Sequence, residues 1–406
     1  MQNEWPFEFP GTYWIDEQEE NAVLDVLRNG SLFRYYGLGE PSYVDKLEER
    51  ACEFYGVKYA LAVNSGTGAL MASLMALDIG PGSEVIIPAF MWVATVGAVV
   101  QSGAIPVLCE IDDSFSMDPS DLERKITPRT KLIIPIHIAG APCDIESIVN
   151  VADEHGIPVL EDCAQCNGGE FRERKVGTFG KMGMFSLQLN KNMTCGEGGL
   201  IITDDEKLYT RAFSSHDMGL IRVEGRLDTP DPYAILWGGG RRMAELPGAV
   251  ASVQITKLPN ILEHMRGSKR RIKAMLDDVP GLGFRRLNDA DGDTGPFLIL
   301  VSEDEANAAT AAQKLIDAGL HNVFKISEYG LHIYSNIPSL VNKVGVRGAG
   351  DPWALLENQD SVYDYNKGAC PVSDALFGRS ILVPIPSKLT LEQEKFAAEA
   401  IRTAVA

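Results

Sequence analysis

Lys191 stands between an apolar run that ends in Phe185-Ser186-Leu187 and the glycine-rich stretch Gly196-Glu197-Gly198-Gly199, which leads into Leu200–Thr203. A lysine amine at such a place can attack a carbonyl or carry a proton, provided neighbours orient it. By itself it reads more readily as a solvated loop residue. Four other places supply the neighbours. Asn64-Ser65-Gly66-Thr67-Gly68 follows the apolar stretch Tyr59–Val63 and opens the helical stretch Gly68–Leu77. A glycine-containing turn at a helix start offers free N–H groups and the positive end of the dipole to a phosphate, and Thr67 adds a hydroxyl. Glu161-Asp162 ends another apolar strand, and a carboxylate placed there is costly to bury without a cationic partner. Gln165, three residues on, reaches in the same direction. Trp92 follows the strand Glu84–Pro88 and offers a flat face for stacking. Ser186, five residues before Lys191, offers a hydroxyl.

These groups amount to a phosphate nest, a stacking aromatic, a carboxylate and an amine. Together they match what pyridoxal 5′-phosphate (PLP) requires. Lys191 would carry the cofactor as a Schiff base, and Asp162 would keep the pyridine nitrogen protonated so that the ring acts as an electron sink. Ser65, Gly66, Thr67 and Ser186 would take the phosphate, Trp92 the ring face, and Gln165 a cofactor oxygen.

The elements that position these residues follow from periodicity. Short apolar strands are predicted at Tyr59–Val63, Glu84–Pro88, Ile105–Ile111, Lys131–His137, Pro158–Glu161, Met184–Leu187 and Leu200–Thr203, with helical stretches between most of them. Near-continuous apolar strands alternating with helices predict an α/β fold with a mostly parallel seven-stranded sheet, covered on both faces. In such sheets ligands collect beyond the carboxyl ends of the strands, where the motifs fall. Asp16 with Glu19, and Thr390 with Gln393, have capping-box spacing. A long helix is predicted over Leu246–Leu276. Beyond about residue 278 strands become fewer, which predicts an arm and large domain over residues 1–250 and a smaller C-terminal α/β domain over 251–406. Ser214–Pro232 is polar and reads as a loop.

The chain has 406 residues, 45% hydrophobic and 23% charged, with a formal net charge of −19. That balance argues against nucleic acid and against anionic membrane surfaces as partners. No apolar run approaches the length of a membrane span, and the start carries no secretory pattern. Seven cysteines, an odd number, suggest reduced thiols and a cytoplasmic setting. Cys163-Ala164-Gln165-Cys166 lacks a second Cys/His pair at metal spacing, so no metal is expected.

Ser65-Gly66-Thr67, the Asp162/Gln165 pair and Lys191 ahead of Gly196-Glu197-Gly198-Gly199 resemble, in order and spacing, the DegT/StrS-type sugar aminotransferases, which are fold-type-I PLP enzymes. The resemblance runs from about residue 10 to the end. It implies that Lys191 is the Schiff-base lysine and general base, Asp162 the pyridinium partner and Gln165 a cofactor-oxygen ligand. Trp92 would be the stacking aromatic, with Gly66, Thr67 and Ser186 at the phosphate. It implies ping-pong transfer of an amino group from L-glutamate or L-glutamine to a keto or aldehyde sugar, and a homodimer that builds its site across the two-fold axis. Related sugar dehydratases carry histidine where this chain has Lys191. Similar enzymes donate an asparagine across the dimer to the phosphate; here that position is Gly240, so Arg241 or a backbone amide would take its place. A looser likeness, in Phe33-Arg34-Tyr35, Ile126–Lys131 and Gly292-Asp293 with Gly295-Pro296-Phe297, points to the branch that aminates octulosonate sugar acids. Keto-cyclitols and nucleotide-linked 4-keto sugars stay open. Arg34, His216, Arg241 and His332 are the candidate substrate contacts.

Overall fold

The computed structural model describes residues 5–7, 9–35, 42–223, 226–228, 232–346 and 350–405. The seven expected strands form: β1 (Tyr59–Val63), β2 (Glu84–Pro88), β3 (Ile105–Cys109), β4 (Thr130–Ile133), β5 (Leu160–Asp162), β6 (Met182–Ser186) and β7 (Gly199–Thr203). They pair in two groups, β1-β7-β6-β5 and β3-β2-β4. Parallel bridges Ile133–Val159 and Ile136–Asp162 join the groups into one sheet. All neighbours run parallel except β7, which is antiparallel to both β1 and β6. The reversal comes with the connection between Ser186 and Gly199, which folds back on itself through Leu187 N–H to Gly198 O and Leu189 N–H to Gly196 O instead of crossing over through a helix. Most of these strands are buried at every position, as a sheet covered on both faces requires. The run expected at Lys131–His137 leaves regular pairing after Ile133, just before Pro135, and touches β5 again only at Ile136.

Helices α1 (Glu17–Asn29), α2 (Tyr43–Tyr55), α3 (Gly66–Ala76), α4 (Val93–Gln101), α5 (Pro119–Lys125), α6 (Ile145–Glu154) and α7 (Glu206–His216) precede the long α8 (Glu245–Ala274). Both halves of the Asp16/Glu19 capping box form at α1, and Gly30 ends that helix with φ +69°. α8 runs straight through the boundary expected at 250–251. The stretch read as a polar loop contains the end of α7 and a hairpin pairing Ile221–Val223 with Arg226–Asp228; its residues 224–225 and 229–231 lie outside the described residues. Arg222 and Arg242 clamp the buried Asp217 beneath that hairpin, at 2.6 and 2.5 Å.

The C-terminal part carries β8 (Gly283–Phe284), β9 (Phe297–Val301), β10 (Phe324–Lys325) and β11 (Ser380–Pro384) in the order β8-β9-β11-β10, antiparallel at every pairing. β10 has only two residues and had no apolar run to announce it. α9 (Glu305–Asp317), α10 (Pro338–Val341), α11 (Pro371–Gly378) and α12 (Leu391–Val405) complete the chain, with both halves of the Thr390/Gln393 box formed at α12. Leu298, Leu300, Ile381, Val383 and Ile401 form this part's core, and Trp5 of the N-terminal arm is buried among them.

Candidate active site

A cavity of about 470 Å³ opens beyond the carboxyl ends of β1, β2, β5 and β6. Lys191, Asp162, Gln165, Ser65, Gly66, Thr67, Trp92, Ser186 and His332 all line it.

The Lys191 turn is held by its own backbone. Leu187 N–H donates to Gly198 O (2.9 Å) and Leu189 N–H to Gly196 O (3.0 Å), which closes the hairpin. Gly196 takes φ +87°, a conformation only glycine adopts cheaply. Lys191 O accepts the Gly11 N–H at 3.0 Å, so the N-terminal arm lies directly on the lysine turn. Asn192 Nδ2 donates to Asn167 O (2.9 Å) and Asn167 Nδ2 to Ser186 O (3.0 Å). That buried chain of amides ties the lysine turn to the end of β6.

Asp162 is buried at the end of β5. Its Oδ2 accepts the Thr95 hydroxyl at 2.8 Å and its Oδ1 accepts Ala164 N–H at 3.0 Å. Both donors are neutral. Burial pushes the carboxyl above its ordinary range, while these two bonds and the nearby charge of Lys191 pull it back. Gln165 Oε1 accepts Ala139 N–H at 2.9 Å, which leaves its NH2 group for a ligand.

At α3 the Ser65 hydroxyl accepts Gly68 N–H at 2.9 Å, and Ser65 O accepts Ala69 N–H. The serine hydroxyl therefore caps the helix. The Gly66 and Thr67 N–H groups lie in the first turn, where helical geometry provides no carbonyl for them. A Cβ on Gly66 would lie 2.9 Å from the Ser186 Cβ, and one on Gly199 would lie 2.5 Å from Ser65 O. Glycine at both positions lets the α3 turn sit against β6 and β7.

Trp92 is the residue before α4, 45% exposed on the cavity wall, with its ring centroid 4.7 Å from that of His332. His332 stacks on Tyr329 at 4.0 Å. Burial, with the charge of Lys191 beside it, lowers the His332 imidazole to about 3, so it stays neutral at working pH. An amine, a buried carboxylate, free helix-start amides and an aromatic wall are the equipment for carbonyl–amine chemistry on an anionic aromatic cofactor.

A model of the DegT/DnrJ/EryC1/StrS aminotransferase family matches residues 14–329. The chain belongs to that family. It is a PLP-dependent aminotransferase. Among solved structures it is similar to 3-amino-5-hydroxybenzoic acid (AHBA) synthase, with TM-score 0.79 and 25% identity over 100% of this chain and 99% of the other. An aminotransferase from Psychrobacter cryohalolentis matches with TM-score 0.80 and 25% identity over 99% and 98% of the two chains. Helicobacter pylori PseC, an aminotransferase of pseudoaminic acid biosynthesis, shares the fold at TM-score 0.76 and 22% identity over 99% of both chains. These likenesses establish the fold-type-I architecture of PLP-dependent transferases. Among the described residues of this aminotransferase, no helix is long and apolar enough to cross a membrane.

Not every residue singled out in the sequence reaches the cavity of its own chain. Arg34 lies elsewhere, its guanidinium bound by Glu48 (2.6 and 2.8 Å) and Asp45 (3.0 Å). His216 belongs to the last turn of α7, not to a loop; its Nε2 meets the Tyr35 hydroxyl at 2.8 Å, and burial lowers it to about 3. Gly240 has φ +62° and no atom within 4 Å of a would-be Cβ. Arg241 does not line the cavity but stands against the start of α3, where a Cβ on Gly68 would lie 3.6 Å from its own Cβ. From the looser likeness, Arg129 is committed to Glu84 and Asp293 to Lys269, while Pro296 and Phe297 do line the cavity.

Thr95, Tyr329 and the pair Asn167/Asn192 escaped the sequence reading. Thr95 carried a faint signal, as the lone hydroxyl in the otherwise apolar helix Val93–Val100, three positions from Trp92.

Proposed function

We propose that this aminotransferase moves an amino group from L-glutamate or L-glutamine to a keto or aldehyde sugar or sugar acid, with Lys191 carrying the cofactor and shuttling the proton. The observation that carries this reading is the meeting of Lys191, Asp162 and the free start of α3 in one cavity. Two features fit PLP. Asp162 is a buried carboxylate with only neutral donors, and a pyridinium nitrogen would supply the missing cation. Arg241, whose Cβ stands against the start of α3, keeps a buried Nη1 with no hydrogen-bond partner; it lies beside Gly239 here, and a turn of the side chain would bring it toward a phosphate at that helix end.

When bound, PLP supplies the electron sink that makes the donor's α-proton acidic. The chain's residues do the rest. Gly66 and Thr67 N–H groups, with the Ser186 hydroxyl, hold the phosphate, and Asp162 fixes the protonation of the ring. Trp92 covers a ring face and Gln165 Nε2 donates to a ring oxygen. The Lys191 amine would take the donor's α-proton and hold it for return, acting as base and then as acid. Neutral His332, with Nδ1–H given to Tyr329 O at 3.3 Å, would offer Nε2 as an acceptor for a substrate hydroxyl without adding charge. Gln188, Asn190, Asn192 and Glu197 line the cavity as well, and their amides and carboxylate match a polyhydroxylated acceptor.

The test is the visible spectrum of the purified protein. The wild type is expected to absorb in the visible and to lose that band with L-glutamate, whereas Lys191→Ala protein should show no such response. A colourless wild type unchanged by added PLP would refute the assignment. A panel of keto sugars and sugar acids read by product mass then identifies the acceptor, and parallel-line kinetics check the two-stage transfer.

A further inference from the structure

We infer that Arg285, reaching in from beside the C-terminal sheet, is a positioning residue for Gln165, so that the docking of that sheet sets the hydrogen bond to the cofactor's ring oxygen. The inference rests on the reading of Gln165 as the donor to that oxygen.

Gln165 is held by the backbone, through Ala139 N–H to Oε1 at 2.9 Å. Ala139 occupies a left-handed conformation, φ 50° and ψ 40°, and Gly140 follows at φ +81°. A non-glycine residue persists there only when its surroundings hold it. They do so through the carbonyls of three successive residues. Arg285 Nη1 donates to Ile138 O at 3.0 Å and Nη2 to Ala139 O at 2.7 Å. Gly140 O accepts the Thr294 N–H at 2.8 Å and the Thr294 hydroxyl at 2.9 Å. Both grips come from the segment that leads into β9. Arg285 is itself anchored by its N–H to Ile299 O at 3.1 Å, and it is only 5% exposed. No carboxylate pairs with its guanidinium among the bonds found; it spends two of its nitrogens on backbone carbonyls, and Nε has no partner. A buried cation used in this way serves a turn rather than an ion pair.

The turn that carries Ala139 N–H is thus clamped from the C-terminal side. Releasing the clamp lets Ala139 relax toward ordinary backbone angles and swings the N–H away from Oε1. Gln165 then loses its orientation, and its NH2 group no longer donates steadily to the ring oxygen. A donor to that oxygen favours its ionised form, so losing the donor raises the pKa at which the visible band of the bound cofactor titrates.

The experiment is a spectroscopic pH titration of the holoenzyme, run beside a thermal melt. Gln165→Ala is expected to raise the band's pKa, and Arg285→Met to raise it in the same direction by about half a unit, roughly threefold in proton affinity. Thr294→Val, which keeps the shape and the backbone bond, should give a smaller shift of the same sign and covers the case of an Arg285 variant that does not fold. Glu84→Gln loosens Thr127, Arg129 and Ser361 at the start of β2, the end of the sheet opposite this turn; it should lower Tm and leave the titration unmoved, which separates positioning from general destabilisation. If Gln165→Ala shifts the band while Arg285→Met and Thr294→Val both titrate like wild type, the inference is overturned. If Gln165→Ala itself titrates like wild type, the placement of Gln165 at the ring oxygen fails, and the inference with it.

Discussion

Thr95 reaches from the first turn of α4 to a carboxylate that the fold has otherwise stripped of water. The Ala164 amide and this hydroxyl, with the nearby charge of Lys191, keep Asp162 from rising further, since burial already lifts it. Replacing Thr95 with valine removes one of those two bonds at nearly constant volume. The Asp162 pKa then moves up again, so the ionised form is lost at a higher pH than before. The acid limb of the kcat/KM profile should move to higher pH, with PLP held less tightly. A profile identical to wild type would remove Thr95 from this account. Lys191, Asp162 and Trp92 were legible as neighbours because each lies just past a strand end, and only their combination singled them out. Thr95 was not, because its meaning depends on α4 packing across the end of β5, and sequence spacing does not record that meeting. Arg34 and His216 do not line the cavity of their own chain. Their types suggested ligands, but burial gave them partners inside the chain, Glu48 for one and Tyr35 for the other.

At the scale of elements, the start of α3 is defined by what is absent from Gly66. A methyl group there would press on the Ser186 Cβ at 2.9 Å, and neither β6 nor the helix can yield cheaply, because β6 lies between β5 and β7. Gly66→Ala should weaken PLP binding by tenfold or more, roughly 1–3 kcal/mol, measured by titrating apoprotein with the cofactor. Ser65→Ala tests a different function of the same turn. It removes the cap on Gly68 N–H and should cost about 1 kcal/mol of stability, with a smaller effect on the cofactor. Most of the large sheet was readable from the alternation of apolar strands and helices. The antiparallel β7 was not distinguishable by period, since a strand buried on both faces looks alike in either direction. The edge β10 left no trace, because two residues carry no pattern. The hairpin over Ile221–Asp228 was hidden by its polarity, since its strands are largely exposed.

For the whole molecule, acid sensitivity follows from two buried histidines. His216 and His332 are each lowered from the usual 6.5 to about 3 by burial. Unfolding exposes them and restores their ordinary proton affinity. Between pH 6.5 and about 3 the unfolded chain therefore binds more protons, so stability falls as pH falls through that window and is unaffected by these groups above it. His216→Gln, measured by denaturant unfolding at several pH values, should show a shallower loss between pH 6 and 4 than wild type, whatever its stability at neutral pH. An equal slope would mean that His216 is not charged on unfolding.

The N-terminal arm has a consequence for when the site comes into being. Trp5 is buried in a core made by Leu298, Ile381 and Ile401, and the Pro10 carbonyl is held by Ser387 Oγ at 2.7 Å. The same arm places Gly11 N–H on the carbonyl of Lys191. A growing chain emerging from the ribosome has its large sheet available long before β9 and β11 exist. Until they arrive, Trp5 has nothing to lodge in, and the strap across the lysine turn stays open. A bond at the edge of the site is thus supported by an early part of the chain meeting a much later one. That is a contact of very high sequence separation, and it belongs to the slow end of folding.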